Sequence, residues 1–243
     1  QVPMVRANPV LGMRVNVVGS TIVFETAKQH MDQVQSVAYA SSIAVYGPAN
    51  LYPKGAIAHD APMLPATLYG VSKQTDEWTA KVYWQDYQLK TIGLRPFFVY
   101  GPDRDQGVSS MPTKAMLAAA VDRPFNINFG GSATYQHAED VAAAFITAAR
   151  ANVEGAPCYN LGGTNASIPD VIDAIEAAVP SIEGKITFDE VIMPFPEAMD
   201  DTEVVKALGP LTWRPFAEGV AGTIADFKAA IAAGRLDVER AIA

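Results

Sequence analysis

Two short β-rich runs, Gln35–Tyr46 and Thr91–Tyr100, each stop at a Gly-Pro pair, Gly47-Pro48 and Gly101-Pro102, and a long helical stripe lies between them. Strand, helix and strand, with turn chemistry at the carboxyl end of each strand, is the pattern of an α/β sheet of parallel strands. The stripe runs through Val71, Thr75, Trp78 and Val82, so one helix is predicted over Leu68–Leu89. An earlier stripe, Val15, Val18, Ile22, Val23 and Thr26, predicts an amphipathic helix over Arg14–His30. Pro96 removes a ladder donor inside the second run and predicts a bulge or early end there.

Further along, helices are predicted around Pro112–Ala120 and Glu139–Arg150, with a short connection at Asn126–Phe129. A strand at Pro157–Leu161 closes on Gly162-Gly163, and Ser167 is placed to N-cap the helix that carries Val171, Ile172, Ile175 and Ala178 on one face. A strand-like Lys185–Phe188, a proline-rich loop at Pro194–Pro196 and a last helix near Val220–Ala233 complete the reading. With 243 residues, 49% of them hydrophobic, the chain can bury the core of one large domain or of a domain plus a smaller lobe.

Charge and cysteine usage remove several classes of function. Twenty-six acidic against eighteen basic residues give a formal charge of −8, and no Lys/Arg-rich run exists to match a phosphate backbone, so no nucleic-acid partner is expected. No apolar run approaches the about 20 residues of a membrane helix, and no membrane partner is expected. The single cysteine, Cys158, cannot form an internal disulfide and is expected to be a small buried hydrophobe. No Cys/His cluster has zinc-site spacing, so the expectation is a metal-free, cytoplasmic protein. The sequence opens on Gln1 rather than methionine and is read as processed, clipped or partial; a removed signal peptide would leave the same start.

Tyr69-Gly70-Val71-Ser72-Lys73 puts a phenol and an ammonium at i and i+4, on one face of the predicted helix. A nearby cation favours a phenolate, which can then trade a proton with a substrate hydroxyl or carbonyl. Upstream, the first β-rich run ends in Ser41-Ser42-Ile43-Ala44-Val45-Tyr46-Gly47, at the carboxyl edge where open α/β sheets build their sites. A serine there can hydrogen-bond a reacting oxygen.

With these residues the chain resembles the extended short-chain dehydrogenase/reductases, the NAD-dependent epimerase/dehydratase group, whose members carry a hydroxyl residue before a VYG turn and then a YxxxK helix. The likeness continues in order through Arg14–Ala27, the Leu94–Pro102 stretch (LRPFFVYGP), Tyr135–Ala142 (YQHAEDVA) and Tyr159–Gly163 (YNLGG). It implies a partial Rossmann-type, doubly wound parallel sheet with a smaller C-terminal α/β substrate lobe. Residues 1–102 and 133–163 would form the dinucleotide-binding domain, and 103–132 with 164–243 the lobe.

The resemblance also implies roles. Tyr69 would be the acid/base, Lys73 the ribose-binding residue that tunes it, and Ser42 the residue that orients the substrate oxygen, with Ser41 beside it. Asn16 matches a position that helps hold the lysine through water, and reads equally well as a helix-surface asparagine. Pro96, Phe97 and Phe98 match the stretch bordering the nicotinamide; Phe97 is expected in the core. Ser42, Ile43, Phe98, Arg104 and His137 are the expected substrate-side residues, although a histidine at a helix start is more often a cap or a packed side chain. Glu139 and Asp140 suit a helix dipole. A homodimer is expected through the helices near 14–30 and 68–89.

The departures from the family narrow the expectation. None of the eighteen glycines forms the GxxGxxG turn that receives the pyrophosphate. The resemblance implies NAD or NADP, yet the 243 residues by themselves are expected neither to bind it nor to turn over. One reading is a fragment of a longer oxidoreductase or epimerase acting on a sugar or sugar-derived alcohol or carbonyl. The other is a truncated, non-catalytic relative that binds a ligand or partner. Ile43-Ala44 stands where 4,6-dehydratases carry an Asp-Glu pair, which disfavours dehydration. Phe98 and Ala133 stand where epimerases carry an asparagine and an arginine for the nucleotide diphosphate, although Arg104, Lys114 or Arg123 could compensate.

Overall fold

The computed structural model describes residues 1–242; Ala243, the last residue of the expected second lobe, lies outside the described residues. In chain order the helices are α1 (Val2–Ala7), α2 (Pro9–Met13), a π-helical turn (Arg14–Val18), α3 (Gly19–Gln29), α4 (Leu68–Tyr87), α5 (Met111–Ala120), α6 (Ala138–Arg150), α7 (Ile168–Ala178), α8 (Thr202–Leu208), α9 (Phe216–Ala232) and α10 (Val238–Ile242). The strands are β1 (Val37–Ala40), β2 (Thr91–Arg95), β3 (Phe98–Tyr100), β4 (Phe125–Ile127), β5 (Ser132–His137), β6 (Cys158–Asn160), β7 (Thr164–Ser167) and β8 (Ile186–Phe188).

β1, β2 and β6 form a three-stranded parallel sheet with β2 in the middle, every residue of it buried. The predicted strand Thr91–Tyr100 is therefore two strands. Pro96 has no N–H for a ladder, and beyond it β3 pairs with β5 in a separate sheet. The predicted strand Gln35–Tyr46 is shorter than expected, because the Ser42 hydroxyl accepts the Ala44 N–H at 3.2 Å and turns the chain into a 3₁₀ helix at Ile43–Val45.

Two compact units result. The first comprises Gln1–Phe97, Val141–Gly162 and Pro194–Leu211; the second comprises Phe98–Asp140, Gly163–Met193 and the chain from Thr212 onward. These boundaries differ from the expected 102/103, 132/133 and 163/164 because β3 pairs with β5, and β5 with β7, rather than with the first sheet. Within the first unit, Phe24, Ala27, Ala80, Leu89 and Ala156 make a buried cluster against which Tyr39, Tyr83 and Trp84 pack.

The helix expected over Arg14–His30 begins earlier. Pro3 and Pro9 sit at helix starts, where a missing N–H is harmless, and the Asn8 side chain caps α2 through the Leu11 N–H at 3.1 Å. Its apolar stripe is not the core face: Val15, Val18, Ile22 and Val23 are exposed, and so are Trp78 and Val82 on α4.

In the second unit, β5 lies parallel to β3 and antiparallel to β7, and β4 pairs with β8. Tyr135–His137, read from sequence as part of a helix start, is the end of β5, and α6 starts one residue later. Asn126 and Ile127, read as a connection, are in β4. The cap at Ser167 is a full capping box: its hydroxyl accepts the Asp170 N–H while the Asp170 carboxylate accepts the Ser167 N–H at 2.7 Å.

Candidate active site

Along β1, Val37 and Ser41 donate their N–H groups to carbonyls of the β2 side, at 3.1 and 2.7 Å. In a parallel ladder the alternate residues face the other way, so the polar groups of Ala38 and Ala40 point to an edge that no strand covers among the described residues. Lys73 closes part of that edge: its Nζ donates to the Ala40 carbonyl at 2.9 Å and to Asp76 Oδ2 at 3.3 Å. The ammonium is thus tied to the strand end that carries the two serines.

The serines differ. Ser41 is buried and donates its proton to Glu77 Oε1 at 2.5 Å. Ser42 is half-buried and its oxygen only accepts, from the Ala44 N–H, so its own proton is not committed within the turn.

The first turns of α4 dock directly on this turn. Thr67 caps the helix by accepting the Gly70 N–H at 3.0 Å. A β-carbon on residue 70 would stand 2.0 Å from the Ala44 carbonyl oxygen and 2.9 Å from Pro65 Cβ, so only glycine lets the helix come this close. Tyr69 and Lys73, both half-buried, share that end of α4. The Asn16 amide, on the π-helical turn, donates to Ser72 Oγ at 3.0 Å, and that hydroxyl donates to the Tyr69 carbonyl at 2.7 Å. Asn16 therefore supports the YxxxK turn through Ser72.

Beneath the site lies a buried ion pair absent from the sequence reading. Arg95 donates to both Glu77 oxygens, at 2.8 and 2.6 Å, and through Nη1 to Tyr46 Oη and the His59 carbonyl, each at 2.6 Å. Tyr46 donates in turn to Asn160 Oδ1 at 2.9 Å, and Asn160 to the Ile57 carbonyl. Burial works against the Glu77 carboxylate, yet the Arg95 guanidinium and the Ser41 hydroxyl hold it below its usual range. Cys158 is buried as expected, and burial pushes its thiol well up.

Ser41, Ser42, Ile43, Tyr69, Lys73 and Pro96 are thus brought together in the first unit, with Ile43 donating its N–H to the Pro96 carbonyl at 3.0 Å. Phe97 is buried there beside Phe195. Phe98, Arg104 and His137 belong to the second unit. Phe98 is buried between the Phe129 and Tyr135 rings. Arg104 braces its own loop through the Gln106 carbonyl and Ser109 Oγ, while Arg123 pairs with Glu239. His137 Nδ1 accepts the Glu139 N–H at 3.3 Å; the Thr223 hydroxyl, which donates to the Gly219 carbonyl, sits 3.5 Å from Nε2. Burial and the Arg214 charge lower the histidine's pKa. Arg214 itself grips Asp140 and Glu139 at the start of α6.

Among the described residues no group of three or more His, Cys, Asp and Glu side chains is placed to hold a metal, and no helix is long and apolar enough to cross a membrane. The model of the NAD-dependent epimerase/dehydratase family matches residues 2–162. The chain belongs to that family. Curated relatives include an uncharacterized protein of Methanocaldococcus jannaschii, 37% identical over 39% of this chain, and an uncharacterized UDP-glucose epimerase of Bacillus subtilis, 33% identical over 32% of it. These matches span only 28% and 23% of the relatives' own lengths. Among solved structures, a partial-consensus L-threonine 3-dehydrogenase superposes with a TM-score of 0.84 at 21% identity, covering 93% of this chain and 75% of that one. The fold is accordingly the α/β, Rossmann-type fold of that family.

Ser42, Tyr69 and Lys73, each half-buried, are the residues here that could hold the reacting end of a nicotinamide dinucleotide. The pyrophosphate of such a cofactor needs the amides of a glycine turn that joins a strand to a helix, and among the described residues no strand of the first sheet runs through such a turn into a helix.

Proposed function

We propose that this chain carries the catalytic portion of an NAD(P)-dependent oxidoreductase or epimerase acting on a sugar or sugar-derived alcohol or carbonyl. The observation that carries this reading is the docking of the Tyr69–Lys73 turn on the strand end bearing Ser42, with Lys73 Nζ 2.9 Å from the Ala40 carbonyl. When bound, the cofactor takes up or returns a hydride. Tyr69 Oη exchanges the accompanying proton with the substrate oxygen, and Ser42 Oγ donates a hydrogen bond to the same oxygen. Lys73 serves the ribose side and the phenol, with Ser41 and Pro96 lining the approach.

The strands and glycine turn for the pyrophosphate are supplied from outside these 243 residues. The uncovered edge of β1, and a superposition that takes in 93% of this chain but only 75% of the L-threonine 3-dehydrogenase, support that reading. Titration calorimetry of the 243-residue chain with NAD or NADP is expected to show no binding; micromolar affinity would overturn it. In the protein as its own gene encodes it, Tyr69→Phe abolishes turnover and leaves cofactor affinity nearly intact. Unchanged activity in that variant would refute the role of Tyr69 and favour a binding module.

On the substrate side the proposed residues are Ser42, Ile43, Phe98, Arg104 and His137. Phe98 and Ala133, both buried and apolar, favour a substrate without a nucleotide diphosphate. The internal hydrogen bonds of His137 favour a supporting role, so His137→Asn should change stability more than KM. The exposed Val15, Val18, Ile22, Val23, Trp78 and Val82 support a homodimer, and the single unpaired cysteine suits a cytoplasmic protein. A monomer in sedimentation equilibrium would remove that part.

A further inference from the structure

Two carboxylates follow Lys73 on α4, and their surroundings differ. Glu77 is saturated by Ser41 and Arg95. Asp76 is not. It is 1% exposed, its Oδ2 receives Lys73 Nζ at 3.3 Å, and its Oδ1 has no hydrogen-bond partner among the described residues. A carboxylate taken out of water with half its acceptor capacity empty opposes folding unless a cation compensates it. The groups facing it are Lys73 and Glu77 from its own helix, the Ser20 hydroxyl from α3, which hydrogen-bonds the carboxylate more weakly than Lys73 does, and the Tyr39 phenol from β1. Lys73 is the cation in direct contact with it.

We infer that Asp76 is a positioning residue for the proposed reaction: it holds the Lys73 ammonium against the end of β1, and its own charge sets whether that ammonium acts as a bare cation or as half of a neutral pair. This rests on the reading of Tyr69 and Lys73 as the acid/base pair. The spacing is i, i+3, so the contact is built into the helix and survives any movement of the loops around it. Burial pushes the Asp76 carboxyl above its usual 3.8, with Lys73 pulling the other way, so the charge of the pair changes above that pH.

The test is a side-chain NMR titration of the isotopically lysine-labelled chain, with the Lys73 signal assigned by its loss in Lys73→Met. The Lys73 Cε and Nζ resonances should pass through an inflection above pH 3.8, and Asp76→Asn should abolish it while the other lysines keep their positions. A featureless Lys73 titration in the folded wild type, or the same inflection in Asp76→Asn, overturns the inference. Should Asp76→Asn not fold, Asp76→Ser replaces it, and the wild-type titration still decides against the inference if it is flat. In the turning-over protein, Asp76→Asn should lower kcat several-fold with KM unchanged. The titration needs neither cofactor nor turnover, so its failure removes the role of Asp76 alone. An active Tyr69→Phe protein would instead remove the reaction and leave the Lys73–Asp76 contact standing.

Discussion

Gly70 and Ala44 meet backbone to backbone: a β-carbon on residue 70 would lie 2.0 Å from the Ala44 carbonyl oxygen. That contact sets how near the Tyr69–Lys73 turn comes to Ser42. Gly70→Ala should therefore force the helix start away from the strand end and destabilise the chain by about 1–3 kcal/mol, as overpacking does. Thr67→Ala, which removes only the cap, should cost about 1 kcal/mol. Urea unfolding of the two variants compares them directly, and a Gly70→Ala protein as stable as wild type would contradict the close approach.

The buried Glu77–Arg95 pair makes a second prediction. Glu77→Gln leaves a buried guanidinium without its counter-charge and should destabilise by about 3–5 kcal/mol, with Arg95→Met in the same range. The double variant should lose clearly less than the sum, because neither uncompensated charge remains, although the Tyr46 hydroxyl and the His59 carbonyl still lose the Arg95 donor. Additive losses in a denaturation cycle would show that the two side chains do not act as a unit.

Acid should weaken the fold in two separable windows. The folded-state pKa of His137 lies below its usual 6.5, so the unfolded chain binds the proton more readily and stability declines as pH falls below 6.5. The Glu77 carboxylate, held below 4.5, contributes stability that is present above pH 4.5 and lost as pH drops through its folded value. Asp76 has the opposite slope, since its folded value is raised above 3.8. Thermal melts across pH should show the first decline in the wild type and not in His137→Asn. Its persistence in that variant would assign it to another group.

The same particulars show what a sequence can and cannot reveal. The YxxxK helix is legible to within two residues, since Leu68–Tyr87 answers to Leu68–Leu89, and the break at Pro96 follows from a missing N–H. The capping box at Ser167 is equally local. The strand β8 is legible, since Ile186–Phe188 answers to Lys185–Phe188, but its partner β4 is not: it has three residues, too few to show a period, and β8 lies about sixty positions away. Periodicity also yields a face without saying what it meets, so the stripe Val15–Val23 is visible while its exposure is not. The spacing of Asp76 and Glu77 from Lys73 is plain on a helix, but only the packed structure buries both and brings Arg95 from β2 to one of them.

The uncovered edge of β1 should also govern how the isolated 243-residue chain behaves in solution. A pair joined through the helix faces closes on itself and stops at two copies, whereas a free ladder can recruit one chain after another. Lys73 obstructs that ladder by occupying the Ala40 carbonyl. Lys73→Ala should lower the concentration at which the isolated chain forms open-ended assemblies, seen as light scattering that keeps growing instead of levelling at a dimer. The lysine assigned to chemistry would then also serve as a guard against polymerisation.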